Sequence, residues 1–154
     1  MITLRPMNKE EFQLYISGAI ESYAKNKVTS GNWGEDEAIN LSKKEFSRLL
    51  PKDEKSELNY LYSIFQDQQL VGMIWIAKTS TTNPDQGYIF DVIIYEPHQG
   101  QGYGKQAMKE IERIAKELGM NKIALHVFGH NKVARRLYEQ LGYEITNINM
   151  VKVI

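Results

Sequence analysis

The 154-residue chain has no cysteine. That absence excludes disulfides, a thiolate nucleophile, an acyl-cysteine intermediate and any cysteine-based zinc or iron–sulfur site. It fits a reducing compartment. An excess of one charge is missing too: 19 Lys and Arg stand against 19 Asp and Glu, with a pI near 6.8. Such a balance lacks the broad positive field that sequence-independent nucleic-acid binding requires. No stretch reaches the ~18 apolar residues of a membrane span. The opening Met1-Ile2-Thr3-Leu4-Arg5-Pro6 leads into no secretory apolar run or small-residue cleavage site. The expectation is a cytoplasmic protein without a membrane or nucleic-acid partner. Histidine is scarce, and His98, His126 and His130 share no predicted helix at ligand spacing, so no metal site is expected. What is present is ordinary: 42% hydrophobic and 25% charged residues. A chain of this size can carry one core, and a single domain over 1–154 is expected.

Periodicity gives the organisation. Ile2–Leu4 reads as a short strand closed by Pro6. Asn8 stands three residues before Glu11, a capping-box spacing that starts a helix. Phe12, Tyr15, Ile16, Ala19, Ile20 and Tyr23 then form the stripe of a core-facing helix, which Gly31 and Gly34 interrupt. A second helix is predicted from about Glu35 to Leu50, before Pro51. Tyr60–Phe65 and Leu70–Ala77 read as strands joined at Asp67-Gln68-Gln69. Gln86–Tyr95 is apolar on both parities except at Asp91, the mark of a central strand covered on both faces. A helix over Tyr103–Leu118, a strand over Lys122–Phe128, a helix over Lys132–Leu141 and a last strand over Tyr143–Ile154 follow. The order β-α-α-β-β-β-α-β-α-β predicts an α/β (α+β) fold with a mixed, mostly antiparallel sheet flanked by helices.

The most informative segment is Gln99-Gly100-Gln101-Gly102-Tyr103-Gly104, between the buried strand and a helix. Backbone N–H groups and the helix dipole can hold a phosphate there, and glycine lets the backbone approach the anion. A dinucleotide fingerprint from Gly100 would need glycine at Lys105, and a Walker loop would need glycine at Gln99 and Ser or Thr at Gln106. Both fail. The pattern Gln-x-x-Gly-x-Gly resembles the acyl-CoA pyrophosphate loop of the GNAT superfamily of N-acetyltransferases. A second signature of that family, Asn-x-x-Ala-x-x-x-Tyr before an apolar residue and Gly-Tyr, is matched by Asn131, Ala134, Tyr138, Leu141, Gly142 and Tyr143. Asp91-Val92-Ile93-Ile94 stands in a similar register, and Ile2–Pro6 is similar to the family's first strand. The resemblance spans essentially the whole chain and points to small uncharacterised bacterial members. Gln99 departs from it, standing where Arg is commoner.

The resemblance implies acetyl transfer from acetyl-CoA to a primary amine, by direct attack and without a metal. Its implied cofactor residues are Gln99, Gly100, Gln101, Gly102, Tyr103, Gly104, Lys105, Asn131, Ala134 and Tyr138, with the backbone of Ile93 and Ile94 holding the pantetheine arm. Tyr138 is the candidate acid for the departing thiolate. Asp91 is the candidate base, with a buried structural carboxylate as the alternative. The acceptor would be a small-molecule or peptide amine. Trp33 with Glu35, Asp36 and Glu37 suggests either a wall of its pocket or a solvated first helical turn. His126 reads as a core or cleft histidine. Homodimers are common in the family, and Met150–Ile154 is apolar enough to pair across one. The competing reading from another class is a non-catalytic acyl-CoA-binding or interaction module; an unrelated nucleotide-phosphate binder is a third.

Overall fold

The computed structural model describes residues 1–154. Its elements are β1 (Ile2–Pro6), α1 (Lys9–Thr29), α2 (Glu35–Leu49), β2 (Asn59–Gln66), β3 (Gln69–Ala77), β4 (Gln86–Ile94), α3 (Tyr103–Glu117), β5 (Lys122–Leu125) and α4 (Lys132–Gln140), with short 3₁₀ turns at Asp53–Lys55 and Glu96–His98. The five strands lie in sequence order in one sheet. β1 to β4 are antiparallel, and β5 runs parallel to β4.

The start of α1 follows from its cap. Glu11 N–H donates to Asn8 Oδ1 at 2.8 Å and Asn8 N–H donates to Glu11 Oε1 at 3.0 Å, so both orphan donors are met. The helix continues past Tyr23 because Ala24 extends its buried stripe, and it stops before Gly31 at positive φ. One face of the sheet buries Met73 and Trp75 against Phe12, Tyr15 and Ala19 of α1 and Phe46 of α2. The other buries Val71, Ile74, Ile76 and Ile89 against Ala107, Met108, Ile111 and Ala115 of α3. The alternation of Met73 and Trp75 with Ile74 and Ile76 thus supplies two cores from one strand, and Val71, the extra residue where β3 bulges against β2, joins the second.

Gly72 allows β3 and β4 to approach: a Cβ there would overlap the Ile93 carbonyl oxygen. Gly72→Ala is expected to destabilise the fold by ~1–3 kcal/mol through forced backbone movement, read as a lower urea midpoint at unchanged slope. An unchanged midpoint would mean that the two strands separate freely.

Two expectations change. The strand predicted to reach Phe128 ends at Leu125, because β4 leaves it. Residues 143–154, predicted as a strand, form none: beyond the half-buried Tyr143 they are exposed, with no backbone ladder beside them. β5 therefore ends the sheet with one edge unpaired.

Candidate functional site

The site begins with one extra residue. Ile76 pairs with Ile89, but Trp75 pairs with Asp91, so Phe90 is a bulge in β4. Pairing of β4 with β5 stops at Ile89 opposite Leu125, next to the bulge. Beyond it the strands splay, and the β5-facing edge of β4 is open. Tyr95 N–H donates to Val71 O at 2.8 Å, which fixes which residues bond to β3. By antiparallel alternation Ile93 is committed to Met73, while the Val92 and Ile94 N–H groups face the open edge. The backbone donor expected at Ile93 is therefore taken, and Val92 stands in its place.

The glycine loop lies at the C-terminal end of this strand. Gly100 and Gly102 have φ of 78° and 79°, and Gly102 caps α3 in the left-handed region. Gln106 N–H makes the first helical bond, to Gly102 O at 3.2 Å, which leaves the N–H groups of Gly102, Tyr103, Gly104 and Lys105 without helical acceptors. Gln99 Nε2 donates to Ile94 O at 2.8 Å and ties the loop to β4. Tyr103 donates to Gln101 Oε1 at 3.0 Å.

A cleft of about 770 Å³ opens over these N–H groups, lined by Ile94, Gln99, Gly100, Gly102, Tyr103, Gly104 and Lys105 on one side and Asn131, Ala134, Leu137 and Tyr138 on the other. Arg136 also lines it, a residue the motif reading passed over. Its neighbour Arg135 pairs with Glu139 at 2.8 Å, but Arg136 has no carboxylate partner. Asn131 caps α4 by accepting from Ala134 N–H at 3.3 Å. Gln101 and Ile93 do not line this cleft.

A second cavity, of about 510 Å³, lies against α1 and α2. Its walls are largely aromatic. Trp75 stacks on Phe90 with centroids 4.6 Å apart, Phe46 lies 6.2 Å from Trp75, and Tyr23 lies 5.9 Å from Phe46 and 6.3 Å from Phe128. The two cavities share Val92, Asn131 and Tyr138. They meet where β4 and β5 part.

Asp91 opens into the second cavity and accepts from the Tyr15 hydroxyl at 2.8 Å. Burial raises its pKa to about 6, opposed by the hydrogen bonds from Tyr15 and the Val92 N–H. No cation pairs with it among the ion pairs of the chain. Burial likewise raises Tyr138 to about 12, with a further push from the Asp91 charge, so its hydroxyl stays protonated at neutral pH. His126 lines the same cavity, its pKa lowered by burial and by Lys27. Trp33 packs edge-on against Tyr23 at 5.5 Å, and Glu35, Asp36 and Glu37 form the exposed first turn of α2, outside the cavity lining.

The raised pKa of Asp91 has a sign that can be measured. In the folded chain it holds its proton up to about pH 6, against 3.8 for a free side chain. Its stabilising contribution is therefore full below 3.8 and lost as pH rises through 6. Asp91→Asn is expected to be more stable than the native chain at pH 7, by up to roughly 3 kcal/mol, and equal to it near pH 3.5. Urea unfolding at the two pH values checks this. A variant less stable at pH 7 would mean that the charged carboxylate is well solvated or paired.

Known proteins share this sequence pattern and this fold. Residues 26–143 match the acetyltransferase (GNAT) family model. Among relatives from Bacillus subtilis, the uncharacterised N-acetyltransferase YycN is 38% identical over 98% of this chain and 97% of its own. The uncharacterised N-acetyltransferase YdgE is 34% identical over 97% and 96%. The crystal structure of YycN superposes with a TM-score of 0.94 over 100% of this chain and 99% of its own. A PaiA N-acetyltransferase from Thermoplasma acidophilum, solved in complex with coenzyme A, shares the fold with a TM-score of 0.71 at 18% identity, over 97% and 93% of the two chains.

Proposed function

Given that the chain belongs to the acetyltransferase (GNAT) family, we propose that it transfers an acetyl group from acetyl-CoA to a primary amine by direct attack. The observation that carries the reading is the meeting of two cavities at Val92 and Tyr138, one lined by orphan backbone donors and the other by aromatic rings around a carboxylate. The first suits a pyrophosphate and an extended arm; the second suits an apolar amine.

In this reading the N–H groups from Gly102 to Lys105, with the α3 dipole, bind the pyrophosphate. Lys105 and Arg136 supply positive charge at the same cleft. Gln99, lacking a charge, serves instead to hold the loop on β4. The Ile94 and Val92 N–H groups take the arm and the thioester carbonyl, aimed at the oxygen that gains charge on attack. Asp91, directly or through water, removes the ammonium proton, because only the neutral amine is a nucleophile. The amine nitrogen bonds to the acetyl carbon, the carbon–sulfur bond breaks, Tyr138 gives its proton to the leaving sulfur, and the proton shed by the new amide nitrogen restores the Tyr138 hydroxyl.

Incubating the protein with acetyl-CoA and a panel of primary amines tests this, read as free thiol released per acetylated amine. Amine-dependent thiol release is the expected result. Tight CoA binding with no release for any amine would instead support a binding module of the same fold.

A further inference from the structure

The charges around the second cavity do not cancel locally. Three formally charged side chains line it, Lys27, Glu45 and Asp91. Glu45 is met by Arg48. Lys27 is half-buried with no carboxylate within ion-pair distance, its ammonium held 5.6 Å from the Tyr23 ring and 5.4 Å from the Trp33 ring. Asp91 is met only by neutral donors, the Tyr15 hydroxyl and the Val92 N–H, and by no cation. The row Tyr23, Phe46, Trp75 separates them: Lys27 sits over the first ring, and Asp91 is the strand partner of the last residue. An unpaired cation and an unpaired anion thus stand at opposite ends of an aromatic wall.

Resting on the function proposed above, we propose that the acceptor is an elongated primary amine with an apolar, preferably aromatic, body and an anionic group at its far end. Its ammonium lies at Asp91, beside Tyr138 and the thioester, its body lies along Tyr23, Phe46 and Trp75, and its anion meets Lys27. A diamine or polyamine would place a second cation against Lys27 and is disfavoured. A plain arylalkylamine fills the wall but leaves Lys27 without a counter-charge.

Two probes with the same body separate these cases: 4-(2-aminoethyl)benzoate and 2-phenylethylamine. Binding is measured by calorimetry on the CoA-loaded protein, and turnover by thiol release from acetyl-CoA. The native chain is expected to bind the carboxylated probe at least ~10-fold more tightly, a difference that each 1.4 kcal/mol of interaction supplies. Lys27→Met, which keeps the apolar stem, should remove that preference while leaving 2-phenylethylamine affinity unchanged. Equal affinities in the native chain, a preference that survives Lys27→Met, or binding of neither probe would overturn the proposal. Selective binding without thiol release from either probe would leave this acceptor class standing and count against acetyl transfer.

Discussion

Replacing Tyr138 with Phe is expected to lower kcat ~10²–10⁴-fold, the range for losing a positioned acid. The substitution removes one hydroxyl and keeps the ring that packs against Tyr143 at 5.9 Å, so fold and CoA affinity should persist. Burial that holds Tyr138 near 12 makes full transfer to an ordinary thiolate uphill by about 3.5 units, roughly 5 kcal/mol. The departing sulfur shares the same apolar surroundings, which raise its own pKa and narrow that gap. The measurement is steady-state kinetics with an acceptor for which chemistry limits turnover, so that slow product release does not mask the loss. A rise in KM alone would give Tyr138 a binding role. Near-native turnover would remove it as the acid and leave water as the proton donor.

The second large effect is expected at Gly102. Its φ of 79° disfavours any residue with a Cβ, and the space beyond the missing Cβ is open. That space is the approach to the orphan N–H groups at the start of α3. Gly102→Val therefore penalises the loop twice, by backbone strain of ~1–3 kcal/mol and by a branched side chain in the anion's path. CoA affinity is expected to fall at least ~10-fold in a variant that remains folded. Calorimetry on the folded variant checks this, and unchanged affinity would show that the pyrophosphate binds elsewhere.

Much of this site could be read before any coordinates. The Asn8–Glu11 box and the glycines at 100 and 102 each have a local cause, and the structure places them as that cause requires. β4, apolar on both parities, lies inside the sheet, but from Phe90 on it is only half-buried because it lines the two cavities. The glycine loop was legible because glycine at 100 and 102 meets a positive φ that a side chain would strain. The bulge was not, since a strand apolar on both parities gives no sign that Phe90 is the unpaired residue. The family resemblance points to the backbone of Ile93 and Ile94, whereas the bulge turns Val92 and Ile94 to the free edge. The Tyr15–Asp91 bond joins residues 76 positions apart, and only the fold brings them together. The aromatic wall draws Tyr23, Phe46, Trp75 and Phe90 from four elements, whereas the contiguous Trp33–Glu37 segment, more conspicuous in sequence, contributes only Trp33 at the edge. Arg136 carries no visible signal: Glu139 lies three residues on from it and four from Arg135, and only the structure shows that Arg135 takes the carboxylate. The tail from Tyr143 is strand-like by composition, but a strand needs an edge to pair with, and sequence does not say whose.

The account rests on acetyl-CoA lying along the open edge of β4 and over the start of α3. Titrating the ¹⁵N-labelled chain with acetyl-CoA and following each backbone amide tests that directly. The amides of Val92, Ile94, Gly100, Gly102 and Gly104 should show the largest shifts, and Ile93, bonded to Met73, a smaller one. Shifts concentrated at Ile123, Leu125 and Tyr143, which line a separate groove beside β5, with the glycine loop silent, would contradict it.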